Sequence, residues 1–370
     1  MLVEPDEDRE EIRGTVRKAL SAFPVGGGID EGDDLRGAAL ASWEVLATDL
    51  GVGALAVPES RGGLGLGMSA LAVVLEETGR ALSPAPVLST CAMATSALLS
   101  STADEVVRPR LEAVMAGTVA TIAFVEGDDD WFAAPRAVRA TQDSTGWVLD
   151  GVKPFVLDAE LASFFVVSAA TDDGPGVFVV DADQPAVAVE RMRTMDLSRG
   201  QARVVLTAAR ATRLDRQGDA EALLGVVRDT AMVALAAEQL GAAERALEMA
   251  VDYVKERHQF GRPIGSFQAV KHRCADMLVS VEKARSIVQH AVWALETGDP
   301  GLPRVASAAK AVCSQALVHV AFETVQVHGG IGFTWEHDAH RYVRRAKTTE
   351  VYLGTPAVHL ERIAAHLASA

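Results

Sequence analysis

The strongest constraint on this chain is where its hydrophobic period changes. Apolar residues recur three and four apart in Asp34 to Leu50 and Ser69 to Leu82, the spacing of a helix with one buried face. The Pro/Gly-rich stretch VPESRGGLGLG, 57 to 67, separates them as a turn region. From about Thr118 to Leu214 the pattern becomes short runs rich in β-branched and aromatic residues: ATIAFVE, RAVRAT, WVLDGVKPFVL, FFVVSAA and GVFVVDA. Turn residues such as Ser144-Thr145-Gly146 and Asp172-Asp173-Gly174 part them. After Gly218 the helical period returns. Asp219 to Arg257, Phe267 to Thr297 and Pro303 to Val327 each predict a long helix, and Pro356 to Ala368 a shorter one with Pro356 in its first turn. FGRPIG, GDPGLP and GGIGF break them.

A helical block, a strand block and a second helical block exclude an alternating βαβ sheet. The expected fold is α+β: an N-terminal helical domain over 1–117, a compact antiparallel barrel or sandwich over 118–214, and a C-terminal helical bundle over 219–370. GGIG at 329 to 332 follows a helix rather than a strand and lacks the GxGxxG spacing, so it is no dinucleotide fingerprint.

A net charge of −15 and a pI near 5.1 argue against nucleic acid or an anionic membrane as a primary partner. The scattered, odd set Cys91, Cys274 and Cys313 fits three thiols in a reducing compartment better than a disulfide framework. The acidic start MLVEPDEDREEIRGTV is unlike a signal peptide. The apolar segment Leu223 to Val254 carries Arg228, Asp229, Glu238, Glu244, Arg245 and Glu248, among other polar residues, and reads as a buried helix rather than a span. A cytoplasmic protein is expected.

Two segments of the bundle carry the chemistry: YVKERHQFGRPIGSFQAVKHRCADM, 253 to 277, and VQVHGGIGFTWEHDAHRYVRRAKTTEVYLGT, 325 to 355. Arg257 offers a planar fork of donors suited to a pyrophosphate. Gln326 and the backbone of Gly329-Gly330 can hydrogen-bond a polar ligand at close approach. On residues alone a second reading stands beside this one, in which Arg257 and Gln326 tie loops together and the glycines cap helices. His258, His272, His319, His328, His337 and His340 form no metal-binding spacing.

Together these segments resemble the acyl-CoA dehydrogenase family, and the likeness extends through VPESRGGLGLG, LDGVKPFV, ERHQFGRPIGSFQ and QVHGGIGF across nearly the whole chain. The resemblance implies a helical domain, a β-barrel and a four-helix bundle that assembles tetramers. It also implies FAD between barrel and bundle, with its ADP end reaching the neighbouring subunit. The implied reaction is α,β-desaturation of an acyl-CoA thioester: a carboxylate removes the α-proton and the β-hydrogen leaves as hydride. An electron-transfer flavoprotein is the implied acceptor. Carried over residue by residue, Arg257, Gln259 and Phe260 match the stretch on the neighbour's FAD pyrophosphate, with Phe267 and Gln268 a further contact. Gln326, Gly329 and Gly330 match the turn that holds the adenosine side of that flavin, and Thr355 a hydroxyl on the subunit's own FAD.

The family's catalytic base is missing. Its usual place, the second residue of Tyr-Glu-Gly-Thr, reads Tyr352-Leu353-Gly354-Thr355, and the alternative place on the first long bundle helix falls on Ala231. A positioned general base contributes about 10²–10⁴-fold, roughly 3 to 5.5 kcal/mol. The barrel stretch of the type Thr-Glu-Pro-x-x-Gly-Ser reads Val125-Glu126-Gly127-Asp128-Asp129-Asp130-Trp131, whose aspartates would repel a pyrophosphate by about 1 kcal/mol per pair at ~6 Å. The stretch Trp-Ile-Thr reads Phe155-Val156-Leu157 and loses its hydroxyl.

The half-site offered to a neighbour is thus retained and the chain's own half is eroded. This narrows the resemblance to heteromeric acyl-CoA dehydrogenases of paired, non-identical subunits (α2β2), some acting on steroid side-chain thioesters in actinobacteria. The expected partner is a second, catalytic subunit. Three other readings remain. The chain is self-sufficient with an unusual base, Glu350 or Glu238, the latter about 10 Å along the helix from Ala231. It is a flavin monooxygenase on the same fold. Or it is a scaffold that contacts no cofactor.

Overall fold

The computed structural model describes residues 7–30, 32–126 and 130–368. Five helices come first: α1 (Glu7–Leu20), α2 (Leu35–Glu44), α3 (Gly67–Arg80), α4 (Thr95–Leu99) and α5 (Asp104–Met115). Seven strands follow: β1 (Ala120–Ala123), β2 (Val138–Asp143), β3 (Gly146–Leu157), β4 (Phe164–Thr171), β5 (Gly174–Asp181), β6 (Val187–Arg191) and β7 (Gln201–Arg213). Then come α6 (Ala220–Glu256), a short hairpin of β8 (His258–Gln259) and β9 (Arg262–Pro263), and α7 (Gln268–Thr297), α8 (Leu302–His328), α9 (Ala339–Val351) and α10 (Pro356–Ala368). The expected order of helices, sheet and helices is observed. The chain clusters into two compact units.

One unit holds Ile29–Leu71 and Pro84–Ala231, and so the sheet. Strand β4 pairs β2, β2 pairs β3, β3 pairs β7, β7 pairs β5, and β5 returns to β4, so five strands close on themselves. Closure removes the open edges that would otherwise invite pairing. Most ladders are antiparallel, as expected, but β1 runs parallel to β4 and a single bridge joins β2 to β4 in parallel. Strands β6 and β7 were not among the five apolar runs. Only one face of β7 is buried, and arginines and threonines interrupt its apolar pattern. In β4 the run from Phe164 to Ala169 is wholly buried, as is Val177 to Val180 of β5, so both faces of these two strands are covered. Strand β3 needs its glycine: Gly151 has φ +139°, and a Cβ there would lie 2.2 Å from the Ala137 carbonyl oxygen.

The other unit draws its described residues from Met1–Gly28, Ala72–Ser83 and Met232–Ala370. Its helices α3 and α6 cross backbone to backbone. A Cβ on Gly79 would sit 1.9 Å from the Glu238 carbonyl oxygen, and one on Gly241 would sit 1.8 Å from that of Glu76. Helix α9 docks on the end of α3, where Tyr342 Oη donates to the Arg80 carbonyl at 2.6 Å and Arg345 to that of Leu82 at 3.4 Å. The sequence reading predicted no helix over α9. The buried face of this helix mixes Ala339, Tyr342 and Ala346 with His340, Arg345 and Thr349, which dilutes its apolar pattern. Among the described residues one helical run, Leu302–Phe333 and not Leu223 to Val254, is long and apolar enough to cross a membrane, and 67% of its apolar window is buried inside the protein.

Candidate functional site

The hairpin after α6 is built by a two-residue turn. Phe260 (φ +53°) and Gly261 (φ +76°) both adopt the left-handed conformation, the signature of a tight turn matched to strand twist. A bulky aromatic at positive φ is strained. Its side chain is nonetheless 91% exposed, so no internal packing explains it. The ring of Phe267 meets Phe260 edge-on at 6.1 Å and carries the Arg262 guanidinium 4.1 Å above its centroid. Gln259 pairs with Arg262, and Gln268 opens α7. Arg257, Gln259, Phe260 and Gln268 are exposed, and Phe267 is half-buried. Among the described residues the Arg257 guanidinium has no ion-pair partner.

The second segment lies at the end of α8. Gly329 (φ +63°) caps the helix, its N–H donating to the carbonyls of Gln326 and Val325. The capping role weighed for the glycines is therefore real at 329. Gly330 is different: it has no positive φ, and a Cβ there would meet nothing within 4 Å. Among the described residues nothing demands glycine at 330. Gln326, Gly329 and Gly330 are exposed. The two segments are brought together by Tyr253, near the end of α6, which stacks on His328 at 4.3 Å. Burial pushes the His328 imidazole below its ordinary range, while its Nδ1 lies 2.7 Å from the Thr324 carbonyl.

Residues 347–351 are the last turn of α9, and the turn proper is Tyr352–Thr355. Every carbonyl at this helix end has a donor. Tyr352 N–H reaches Thr348 O at 3.3 Å and Gly354 N–H reaches Val351 O at 3.1 Å. Gln239 Nε2 covers Thr349 O at 3.3 Å. Lys310 Nζ covers Glu350 O at 3.2 Å and Gly354 O at 3.0 Å, and also bonds Ser314 Oγ at 2.9 Å. His359 Nε2 covers Leu353 O at 2.9 Å. Leu353 itself adopts φ +62° and is 1% exposed. Thr355 is half-buried, its hydroxyl 3.5 Å from the Val358 amide that donates to it. Burial pushes the Lys310 ammonium down to about 7. Burial, helped by the Lys310 charge, pushes His359 down to about 4. Sequence reading missed Lys310 and His359, although a lone lysine inside the apolar run VASAAKAVC was a usable signal.

The two carboxylates weighed as substitute bases are both engaged. Glu238 is paired with Arg345 at 2.8 Å, both nearly fully buried. Glu350 is ion-paired with Lys347. Ala231 is fully buried on α6.

Within the barrel unit, Val125 and Leu157 are each 1% exposed and offer no hydroxyl. Phe155 sits at a bulge of β3 with φ +54°. Glu126 is wholly buried and ion-paired with Lys153; its Oε2 accepts the Arg136 and Ala137 amides at 3.0 and 2.5 Å. Burial pushes the Lys153 ammonium down, and Glu126 opposes that shift. Of the three aspartates expected to repel a pyrophosphate, Asp128 and Asp129 lie outside the described residues, as does Gly127. Asp130 spends its Oδ1 on the amides of Phe132 and Ala133, at 2.9 and 3.0 Å.

The sequence profile of the family "Acyl-CoA dehydrogenase, C-terminal domain" matches residues 230–368, and that of "Acyl-CoA dehydrogenase, N-terminal domain" matches 6–118. The chain is 34% identical over 366 residues to acyl-CoA dehydrogenase IpdE2 of Mycobacterium tuberculosis, covering 97% of each. Among solved structures it resembles a variant of the Tcur3481-Tcur3483 steroid ACAD, with a TM-score of 0.86, 34% identity and 98% of each chain covered. It also resembles the ChsE4-ChsE5 complex of Mycobacterium tuberculosis, with a TM-score of 0.86, 30% identity and 100% of each chain covered.

Proposed function

Because this chain belongs to the acyl-CoA dehydrogenase family, we propose that it is the half-site-donating subunit of a heteromeric, FAD-dependent acyl-CoA dehydrogenase. The family makes it part of a flavoprotein oxidoreductase of lipid metabolism. The single observation that carries the finer reading is an asymmetry. Arg257 is exposed without an ion-pair partner, while Leu353 fills the usual base position with a buried isobutyl group. Two of the similar structures bear paired names, ChsE4-ChsE5 and Tcur3481-Tcur3483, which supports a second subunit. The latter is called a steroid ACAD, which favours a steroid side-chain thioester as substrate.

The donated half fits part of an FAD. Arg257 and Gln268 would take the pyrophosphate, Gln259 and Gln326 would add hydrogen bonds, and the backbone at Gly329-Gly330 leaves room for close approach. Phe260, held outward, would pack against the partner's side of the site, with Phe267 behind it. When bound, FAD supplies the hydride acceptor. The chain's own half does not fit as well. Thr355 keeps its hydroxyl, but Val125 and Leu157 present buried apolar groups where the family has hydroxyls. Neither Leu353 nor Ala231 can take an α-proton, and Glu238 and Glu350 are held in ion pairs. Proton abstraction therefore falls to the partner. Segment 219–370 is the portion that assembles and donates, the enzyme acts in the cytoplasm, and an electron-transfer flavoprotein is the acceptor.

The test is to purify the full chain alone and with its catalytic partner, then measure flavin absorbance per chain and native mass. Expected are little FAD alone and about one FAD per two chains in a heterotetramer. Arg257→Ala in this chain should weaken flavin retention by the complex about tenfold or more, since a hydrogen bond to a charged group contributes roughly 1.5–3 kcal/mol. One FAD per chain with turnover by the isolated chain would refute the reading.

A further inference from the structure

A lysine with no exposed surface stands in the middle of α8. Among the described residues its hydrogen bonds reach no carboxylate. Lys310 Nζ meets a hydroxyl and two backbone carbonyls, those of Glu350 and Gly354, while the Glu350 carboxylate is ion-paired with Lys347. These two carbonyls lie on either side of Leu353, where the chain leaves α9 and turns into α10. The backbone bonds of the turn go to Thr348 O, Val351 O and, from His359 N–H, Thr355 O, so the donor for these two comes from Lys310. The cradle works in either protonation state. An ammonium has three donors, and a neutral amine keeps two for the carbonyls while accepting from Ser314.

The neighbouring residue has reason to be held. Leu353 is a non-glycine residue at φ +62°, a conformation that persists only where the surroundings over-determine it. Its own carbonyl is taken by His359 Nε2. The carbonyls of Glu350, three residues before it, and Gly354, one after, are taken by Lys310, and the Ser314 hydroxyl that Lys310 also touches is 3.0 Å from Gln239 Nε2 on α6. A turn pinned from α6, α8 and α10 cannot rotate its middle residue outward without breaking several of these bonds.

We propose that Lys310 is a positioning residue that locks the 352–355 turn and holds Leu353 inward as a fixed apolar wall. This deepens the reading that Leu353 replaces the base: the position is closed to a substrate of its own, and the buried lysine is what keeps it closed.

The test is thiol accessibility at position 353 in the full chain co-purified with its partner. Leu353→Cys is introduced in a Cys274→Ser background, leaving the buried Cys91 and Cys313 as internal reports of an intact fold. With Lys310 present the introduced thiol should react with iodoacetamide as slowly as those two. Adding Lys310→Met should speed its reaction at least tenfold while Cys91 and Cys313 stay slow. Adding Ser314→Ala, which leaves both carbonyl bonds, should not speed it. An unchanged rate with Lys310→Met, or an equal gain with Ser314→Ala, overturns the proposal. If Lys310→Met fails to fold, Lys310→Gln decides: an intermediate rate supports the role of the donor, and the slow rate overturns it. Flavin per chain in the same samples reports separately on the half-site reading, whose failure would show as one FAD per chain.

Discussion

Tyr253 stacks on His328 with ring centroids 4.3 Å apart and planes inclined by 26°. One residue lies four positions before Arg257 and the other immediately before Gly329, so this pair joins the two segments proposed to hold a partner's flavin. An aromatic pair contributes about 0.5–1.5 kcal/mol beyond its buried area. Tyr253→Ala should therefore let the segments drift apart and weaken flavin retention by the complex up to about tenfold. Tyr253→Phe keeps the ring and should retain flavin. Flavin absorbance after gel filtration at successive dilutions distinguishes them, and equal retention in both variants would show that the stack does not matter.

The crossing of α3 and α6 predicts a large stability loss from a small change. In Gly241→Ala the new methyl would lie 1.8 Å from the Glu76 carbonyl oxygen, which is backbone and cannot step aside alone. The helices must separate, at a cost of about 3 kcal/mol or more. Urea denaturation of the variant checks this. A similar methyl at Gly330, where nothing lies within 4 Å, should leave stability within about 0.5 kcal/mol of the parent.

Buried charge in the barrel predicts a second loss. Lys153→Met leaves Glu126 wholly buried without its counter-ion. Removing one partner of such a pair costs about 3–5 kcal/mol. The double variant Lys153→Met with Glu126→Gln should recover part of that, because an amide still bonds and carries no charge. Thermal melts of both give the comparison.

The His359 imidazole predicts an acid-sensitive turn. Its folded value, about 4, lies below the ordinary 6.5 because it is buried beside Lys310. A depressed value means that its contribution is fully present above about pH 6.5 and is lost as pH falls toward 4, by roughly 3 kcal/mol at most. Other groups titrate as well: Glu244, pushed up to about 7 by burial, gains stability over the same fall in pH. The informative measure is thus the difference between variants. On going from pH 7.5 to 4.5, His359→Gln should come out about 2–3 kcal/mol more stable, relative to its own value at pH 7.5, than the parent does. An identical change in both would show that His359 does not titrate in this window.

Restoring a carboxylate should not restore an enzyme. Leu353→Glu would bury its carboxyl where Leu353 is 1% exposed, and burial raises the pKa of such a group, leaving less of it ionised to take a proton near neutral pH. The hydroxyls absent at Val125 and Leu157 stay absent. The isolated Leu353→Glu chain is expected to oxidise no acyl-CoA thioester, as followed with an artificial electron acceptor. Turnover by that single variant would mean the rest of its own site is sound.

Much of the architecture was legible in the residues. Period 3.6 in the flanking segments and short β-branched runs between them placed most of the elements, and α10 begins and ends where the spacing put it. What failed to show were elements whose buried faces are polar or broken. Helix α9 hides behind Arg345 and His340, and β7 behind its arginines. For the site, the loss of a carboxylate at Leu353 and the presence of Arg257, Gln326 and Gly329-Gly330 are facts of the linear text, because chemical identity is local.

The chain by itself therefore determined which groups exist and which chemistry is missing. Only the tertiary structure decided how each is used. Distance and burial depend on residues far apart in sequence: Glu238 is engaged because Arg345 folds onto it, and Phe260 matters because nothing covers it. Lys310 meets the Glu350 and Gly354 carbonyls because the end of α9, 40 residues on in sequence at Glu350, folds against its amine.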